Sequence, residues 1–337
     1  MTVETATSHT TAADAAQTAE PAVTASLSPS RAADFKTCPL LYRFRSIDRI
    51  PERPNAEQAR GTLVHAVLER LFDLPAAERT PTTAAHMVTA EWTRLVAEQP
   101  ELADLFDGHD ATDLTGFLDS ARELLDGYFR VEDPRRLEPA ERESLISAVV
   151  DGQLLIRGYI DRLDVAPDGA LRVVDYKTGG APREAFEARA LFQLKFYALV
   201  LWRTRGVVPA VLRLLYLKDA EACDYRPDVD ELVRFERTVV ALWRAIEQAT
   251  AARDFRPKPS RLCAWCNHQA LCPAFGGTPP PFPEQPAADA APSPPAPPAR
   301  VTRRAADTAA RSIHPRPPAP PSATPPDAAD GAAPPPR

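Results

Sequence analysis

The sequence predicts an α/β fold in which helices precede a three-stranded meander that is followed by helix, strand and helix. Three observations carry this prediction. Between about Arg142 and Tyr176, three apolar, β-branched runs are separated by the turn signals Asp151-Gly152 and Pro167-Asp168-Gly169. The segments on either side place apolar residues at helical spacing. Hydrophobic residues make up 44% of the 337-residue chain, enough for a core, while much of its Pro gathers beyond Thr278.

Taken in order, residues 1–26 are rich in Ala and Thr and are expected to be a disordered tail. Ser28 is a natural N-cap with Pro29 at the first helical position, and that helix runs toward Cys38-Pro39. A second helix covers Gly61 to Leu74, with Leu63, Val67 and Leu71 on one stripe. Residues of about 75–135 form a helical insertion. Strands follow over Arg142–Val150, Gln153–Val165 and Leu171–Tyr176. A helix over Phe186–Arg203, a fourth strand over Leu212–Leu217 and a long helix over Val229–Ala252 complete the folded part. This part is expected to span 27–277, ending in a Cys-rich segment at 260–275. Residues 278–337 are Pro- and Ala-rich, cannot bury enough apolar surface to offset their ordering entropy, and are expected to be disordered.

The net charge of −6 excludes the global basic field of a simple DNA-coating protein. Any nucleic-acid binding must rely on a local groove. No window approaches the roughly 20 apolar residues of a membrane span, and the N-terminus lacks the basic start and apolar stretch of a signal peptide. A cytoplasmic location is expected, where the five Cys read as ligands or catalysts before disulfides.

Two strand ends carry the chemistry. Gly158-Tyr-Ile-Asp161-Arg-Leu-Asp164 ends one strand and Val173-Val-Asp175-Tyr-Lys177-Thr-Gly179 the next. Side chains alternate along a strand, so Asp175 and Lys177 share a face, while Val174 and Tyr176 point to a core. Asp161 can lie beside Asp175. Two carboxylates with one ammonium suit Mg2+ or Mn2+, and an adjacent Lys can position water and stabilise charge on a phosphate. Alone, the three residues also read as an ordinary surface ion pair. Asp164, on the opposite face, reads as an Arg partner.

These motifs, with Gln193-Leu-Lys-Phe-Tyr197 downstream, resemble the PD-(D/E)XK nuclease superfamily, specifically its RecB branch. The resemblance implies a restriction-endonuclease-like core, a mixed sheet of about four strands flanked by helices. It implies Asp161 and Asp175 as metal ligands, Lys177 as the catalytic lysine, and Gln193 and Tyr197, one helical turn apart, beside the active site. His65, in Gly61-Thr-Leu-Val-His65, matches the family's His ligand; Glu69 on the same helix face reads as a solvated residue. A further acid is expected at the start of the first strand, where Glu143 is preferred to Glu141.

Cys263-Ala-Trp-Cys266 and Cys272-Pro273 make a metal site, but three sulfurs do not close a tetrahedral set. Cys38, in Phe35-Lys-Thr-Cys38-Pro-Leu-Leu-Tyr42, is the candidate fourth, and its setting resembles the early cysteine of AddB-like RecB nucleases. That resemblance implies a four-iron, four-sulfur cluster. Zinc is the alternative, with His268 as a spare ligand. Cys223 fits no pattern. Nearby Arg31, Lys36, Arg43 and Arg45 read either as phosphate contacts or as a solvated face.

The expected function is metal-dependent DNA cleavage, as an exonuclease on single-stranded or end-containing DNA in repair or recombination. The chain carries no helicase P-loop, so unwinding would need a partner. The alternative is a non-catalytic iron–sulfur DNA-binding or partner subunit that keeps the fold, against which the intact Asp175-x-Lys177 pair argues.

Overall fold

The computed structural model describes residues 25–106, 113–181 and 187–284. Both expected tails, apart from Ala25 and Ser26 at one end and residues 278–284 at the other, lie outside the described residues. The chain runs β1 (Ala25–Leu27), α1 (Pro29–Thr37), α2 (Pro39–Tyr42), α3 (Ala56–Leu71), α4 (Pro81–Glu98), α5 (Leu114–Val131), β2 (Glu141–Val150), β3 (Leu154–Val165), β4 (Leu171–Lys177), α6 (Glu187–Arg205), β5 (Val211–Tyr216), β6 (Glu221–Tyr225) and α7 (Val229–Ala252).

Local chemistry explains most boundaries. The Ser28 side chain accepts from Arg31 N–H, and Pro29 follows at the first helical position of α1. Asp151 and Gly152 adopt φ of 50° and 72°, the double left-handed geometry of a two-residue hairpin turn, and so set the β2–β3 register. Asp228 caps α7 by accepting from Glu231 N–H.

Among the described residues the sheet has six strands, two more than expected. β2–β3–β4 is an antiparallel meander, β4 and β5 run parallel through the α6 crossover, and β6 pairs antiparallel with β5. β1 and β6 are the additions; β1 lies parallel to the start of β3. Both faces are covered. Leu163, Val173, Leu212 and Leu214 pack against α6 and α7 residues such as Phe196, Val200 and Val239. Val174, Tyr176, Leu215 and Leu217 pack against α3, α4 and α5 through Leu68, Trp92, Leu125 and Tyr128. The helical insertion is therefore the second wall of the sheet, which is why β4 and β5 read as continuous apolar runs. α5 comes so close that a Cβ at Gly127 would sit 1.8 Å from the Leu217 carbonyl oxygen.

A buried ion-pair network ties this wall to the sheet. Arg162 is fully buried and donates twice to Glu132, at 2.6 and 2.9 Å, and also to Tyr176 Oη at 3.0 Å. Asp164 lies 3.0 Å from Arg162 and 2.8 Å from Arg172. Removing one partner of a buried pair leaves an uncompensated charge. Arg162→Ala is therefore expected to lower unfolding free energy by about 3–5 kcal/mol, measured by urea denaturation. A loss below about 1 kcal/mol would mean that the network behaves like an exposed pair.

Candidate active site

Strand β3 has β1 as neighbour over Leu154–Ile156 and β4 only from Arg162 onward. Asp161 occupies the step where β4 joins. Its Oδ2 accepts the Tyr176 backbone N–H at 2.7 Å, in place of a ladder partner. Opposite it in β2, Glu143 adopts φ of 42°, between Arg142 and Ser144, which keep their pairing to β3. A left-handed Glu inside a strand is strained, and such strain persists where surrounding structure holds a side chain in a required place. The core-facing pattern changes here as well: Ile160 and Leu163 belong to the α6–α7 core, whereas Arg162 reaches Tyr176 on the other face.

His65 of α3 completes this corner. Its Nε2–H donates to the Tyr176 carbonyl at 3.0 Å, because a carbonyl can only accept. That bond turns Nδ1 toward the carboxylates, 3.4 Å from Glu143 Oε1 and 3.6 Å from Asp161 Oδ2. One ligand atom from each of His65, Glu143 and Asp161 lies within 4.8 Å of the others. Tyr176 thus orients two members of the set through its own backbone, and the Arg162 network holds Tyr176. Burial lowers the His65 pKa, but Asp161, Glu143 and Asp175 outweigh it and raise it to about 9. Burial, with Asp175 and Glu143 against His65 and Lys177, raises the Asp161 carboxyl to about 7. An imidazole among converging carboxylates, oriented by a backbone carbonyl, fits a divalent cation.

A second group is continuous with the first along β4. Lys177 Nζ lies 2.6 Å from Asp175 Oδ2 and donates to Gln193 Oε1 at 2.9 Å. Gln193 Nε2 donates to Tyr197 Oη at 2.8 Å. Burial lowers the Lys177 pKa, yet Asp175 and Asp161 raise it overall, so the ammonium stays charged. Asp175 is buried and paired with Lys177, and Glu143 lies with His65 and Asp161 in the donor group found among the described residues. Gly158 leaves room for Tyr197: a Cβ there would sit 2.7 Å from the ring. A cleft of about 370 Å³ opens beside Lys177, lined by Gly179, Gly180, Arg189 and Tyr216. A larger one of about 780 Å³ begins at Thr178 and runs between α3 and α5 past Arg60 and Arg130.

Other candidates have partners outside this donor group. Glu141 pairs with Arg205. Glu69 is half-buried rather than solvated; burial, then the Glu143 charge, raises its carboxyl. Arg43 pairs with Asp48, and Arg45 with Asp34 and Glu52, so neither is an idle cation awaiting phosphate. Arg31 bonds the Ser26 carbonyl, and Lys36 lies over the Phe192 ring. The Arg162–Glu132 support and the Arg189 side of the cleft were not anticipated, since no short-range pattern marks them.

At the other end of the folded part, Cys38 lies between α1 and α2, and its Sγ accepts from Lys258 N–H at 3.3 Å. Cys263 Sγ accepts from Ser260 N–H. Burial raises the Cys266 thiol, a backbone bond at His268 opposes this, and Cys263, Cys38 and Cys272 add to the rise. Cys38, Cys263 and Cys272 thus lie near enough to act on the Cys266 thiol, whereas Cys223 lies in β6. His268 is buried with Nε2 committed to Glu52 at 2.7 Å, which removes that nitrogen as a spare ligand.

Among the described residues, no helix is long and apolar enough to cross a membrane. The chain is 28% identical over 267 residues to the Gene 69 protein of Mycobacterium phage D29, covering 74% of this chain and 96% of that one. It is 31% identical over 131 residues to the Gene 69 protein of Mycobacterium phage L5, covering 37% of this chain and 42% of that one. The crystal structure of a proposed exonuclease from Eubacterium rectale aligns at a TM-score of 0.47 and 11% identity, over 77% of this chain and 94% of that one. The model of the PD-(D/E)XK nuclease superfamily matches residues 26–273, which take in both strand ends, the Lys177–Tyr197 chain and Cys38, and to that superfamily the chain belongs.

Proposed function

We propose that the protein is a metal-dependent DNA nuclease of the RecB type, an exonuclease acting on single-stranded or end-containing DNA in repair or recombination. The carrying observation is that the His65–Glu143–Asp161 donor set and the Asp175–Lys177–Gln193–Tyr197 chain meet along β4. His65, Asp161 and Asp175 would hold Mg2+ or Mn2+, with Glu143, whose carboxylate converges with His65 and Asp161, as a further donor. Such an ion supplies Lewis acidity toward a phosphate oxygen and lowers the pKa of water. The protein's own part is orientation. The Tyr176 carbonyl holds the Nε2–H of His65 and thereby frees Nδ1 as a donor. Asp175 and Gln193 hold the Lys177 ammonium where negative charge grows on a phosphate under attack.

We also propose that Cys38, Cys263, Cys266 and Cys272 hold an AddB-like four-iron, four-sulfur cluster, a reading supported by the nearness of Cys38, Cys263 and Cys272 to the Cys266 thiol and by the softness of sulfur donors. DNA is the partner of the catalytic corner, and a helicase or other repair protein would supply unwinding. End-labelled single- and double-stranded DNA tests the reading: cleavage is expected with Mg2+ or Mn2+ and none with EDTA. Cleavage that persists in EDTA would refute metal dependence.

A further inference from the structure

The segment that carries the three late cysteines has a surface that neither the catalytic corner nor the thiols use. Trp265 is 79% exposed, Phe275 52% and Leu262 38%. An indole this exposed on a well-anchored segment leaves one whole ring face open to a partner, with Leu262 and Phe275 exposed nearby in the sequence. The charge of the same segment is unlike the rest of the chain. From Phe255 to Pro283 it carries Arg256, Lys258 and Arg261 and no Asp or Glu, in a chain of net charge −6. All three cations are exposed. Arg256 pairs with Asp254, and Lys258 Nζ donates to the Lys36 carbonyl at 3.2 Å.

The segment is also held in place. His268 bonds Glu52, which Arg45 grips with two bonds, and the His268 ring packs on Phe44. A ring projecting from a fixed base is a platform, since little ordering entropy is lost when a ligand stacks on it.

We propose that Trp265, with Arg261 and Lys258, is a stacking platform for single-stranded DNA, on which a base lies against the indole while the cations contact flanking phosphates. The inference rests on the reading of the chain as a DNA nuclease. An exposed indole with Arg261 and Lys258 four and seven residues before it, in a segment whose own sequence holds no carboxylate, offers the recognition chemistry of an unpaired strand: every base offers a π face and every phosphate a charge. A paired duplex hides its base faces and would use the cations alone.

The test is anisotropy of a fluorescein-labelled oligo(dT) with full-length protein in EDTA, where no cutting occurs. Trp265→Ala is expected to weaken binding by about 10-fold, and Trp265→Phe, which keeps a π face, much less. Arg261→Gln is expected to reduce the dependence of log K on log salt by about 0.7. Unchanged binding in Trp265→Ala would overturn the proposal. Equal losses in the Ala and Phe variants would also overturn it, because they point to packing. A shift in Trp265 emission on deleting 285–337 would do the same, by showing that the Pro-rich tail occupies the surface. The two readings separate cleanly. Trp265-dependent binding without cleavage removes the nuclease, whereas cleavage with Trp265-independent binding removes the platform.

Discussion

Lys177→Ala is expected to lower cleavage of end-labelled DNA by at least about 10²–10³-fold, the scale on which one preorganised charge-stabilising donor acts. The expectation follows from how the ammonium is held. It ends β4, with Asp175 on one side and Gln193 on the other, and neighbouring carboxylates keep it protonated. Nothing else in the Asp175–Gln193–Tyr197 chain carries positive charge. The substitution also has a structural consequence. Asp175 is 1% exposed, so removing its cation leaves a buried carboxylate unpaired and costs stability. Activity must therefore be compared where circular dichroism shows the variant folded. Lys177→Ala combined with Asp175→Asn removes the uncompensated charge and should recover stability without recovering cleavage. Undiminished cleavage by folded Lys177→Ala would sink the assigned mechanism.

The parts of this site that were legible beforehand are those governed by short-range rules. Period-two alternation put Asp175 and Lys177 on one face, and Asp151-Gly152 announced the hairpin that brings Glu143 opposite Asp161. The long helix expected over Val229–Ala252 is α7 with those bounds. What stayed hidden depends on contacts between distant segments. β1 is three residues long, too short to show alternation. β6 is an edge strand whose exposed Glu221 and Asp224 mask its pattern. Arg43 and Arg45 resembled phosphate contacts because no sequence rule shows that Asp48, Asp34 and Glu52 would fold against them. Glu143 is not a residue type that announces positive φ, so its strain could be seen only in place. Expected helix and strand positions for the core held, but their supports, such as Glu132 reaching Arg162 of β3, belong to the tertiary structure alone.

Cys38→Ala is the second large effect. Protein purified without oxygen should be brown and hold about four irons per chain, the content of a cluster with four Cys ligands. Cys38→Ala should lose the iron and the colour, and with them a crosslink that closes a loop of more than two hundred residues. A crosslink of that kind restrains the unfolded chain by about 4–5 kcal/mol in the simple loop-entropy treatment of disulfides. The segment does not depend on the sulfurs alone, since His268–Glu52 and Lys258–Lys36 also dock it. Loss of iron should therefore lower the melting temperature by many degrees without releasing the catalytic corner, whose ligands come from α3, β2, β3 and β4. Cys223→Ala, in the far edge strand β6, should leave iron and stability unchanged and is the control. Colourless protein with one zinc would replace the cluster by a four-sulfur zinc site and keep the crosslink. Iron retained in full by Cys38→Ala would show that the early cysteine takes no part, and the closure of the two ends through sulfur would have to be abandoned.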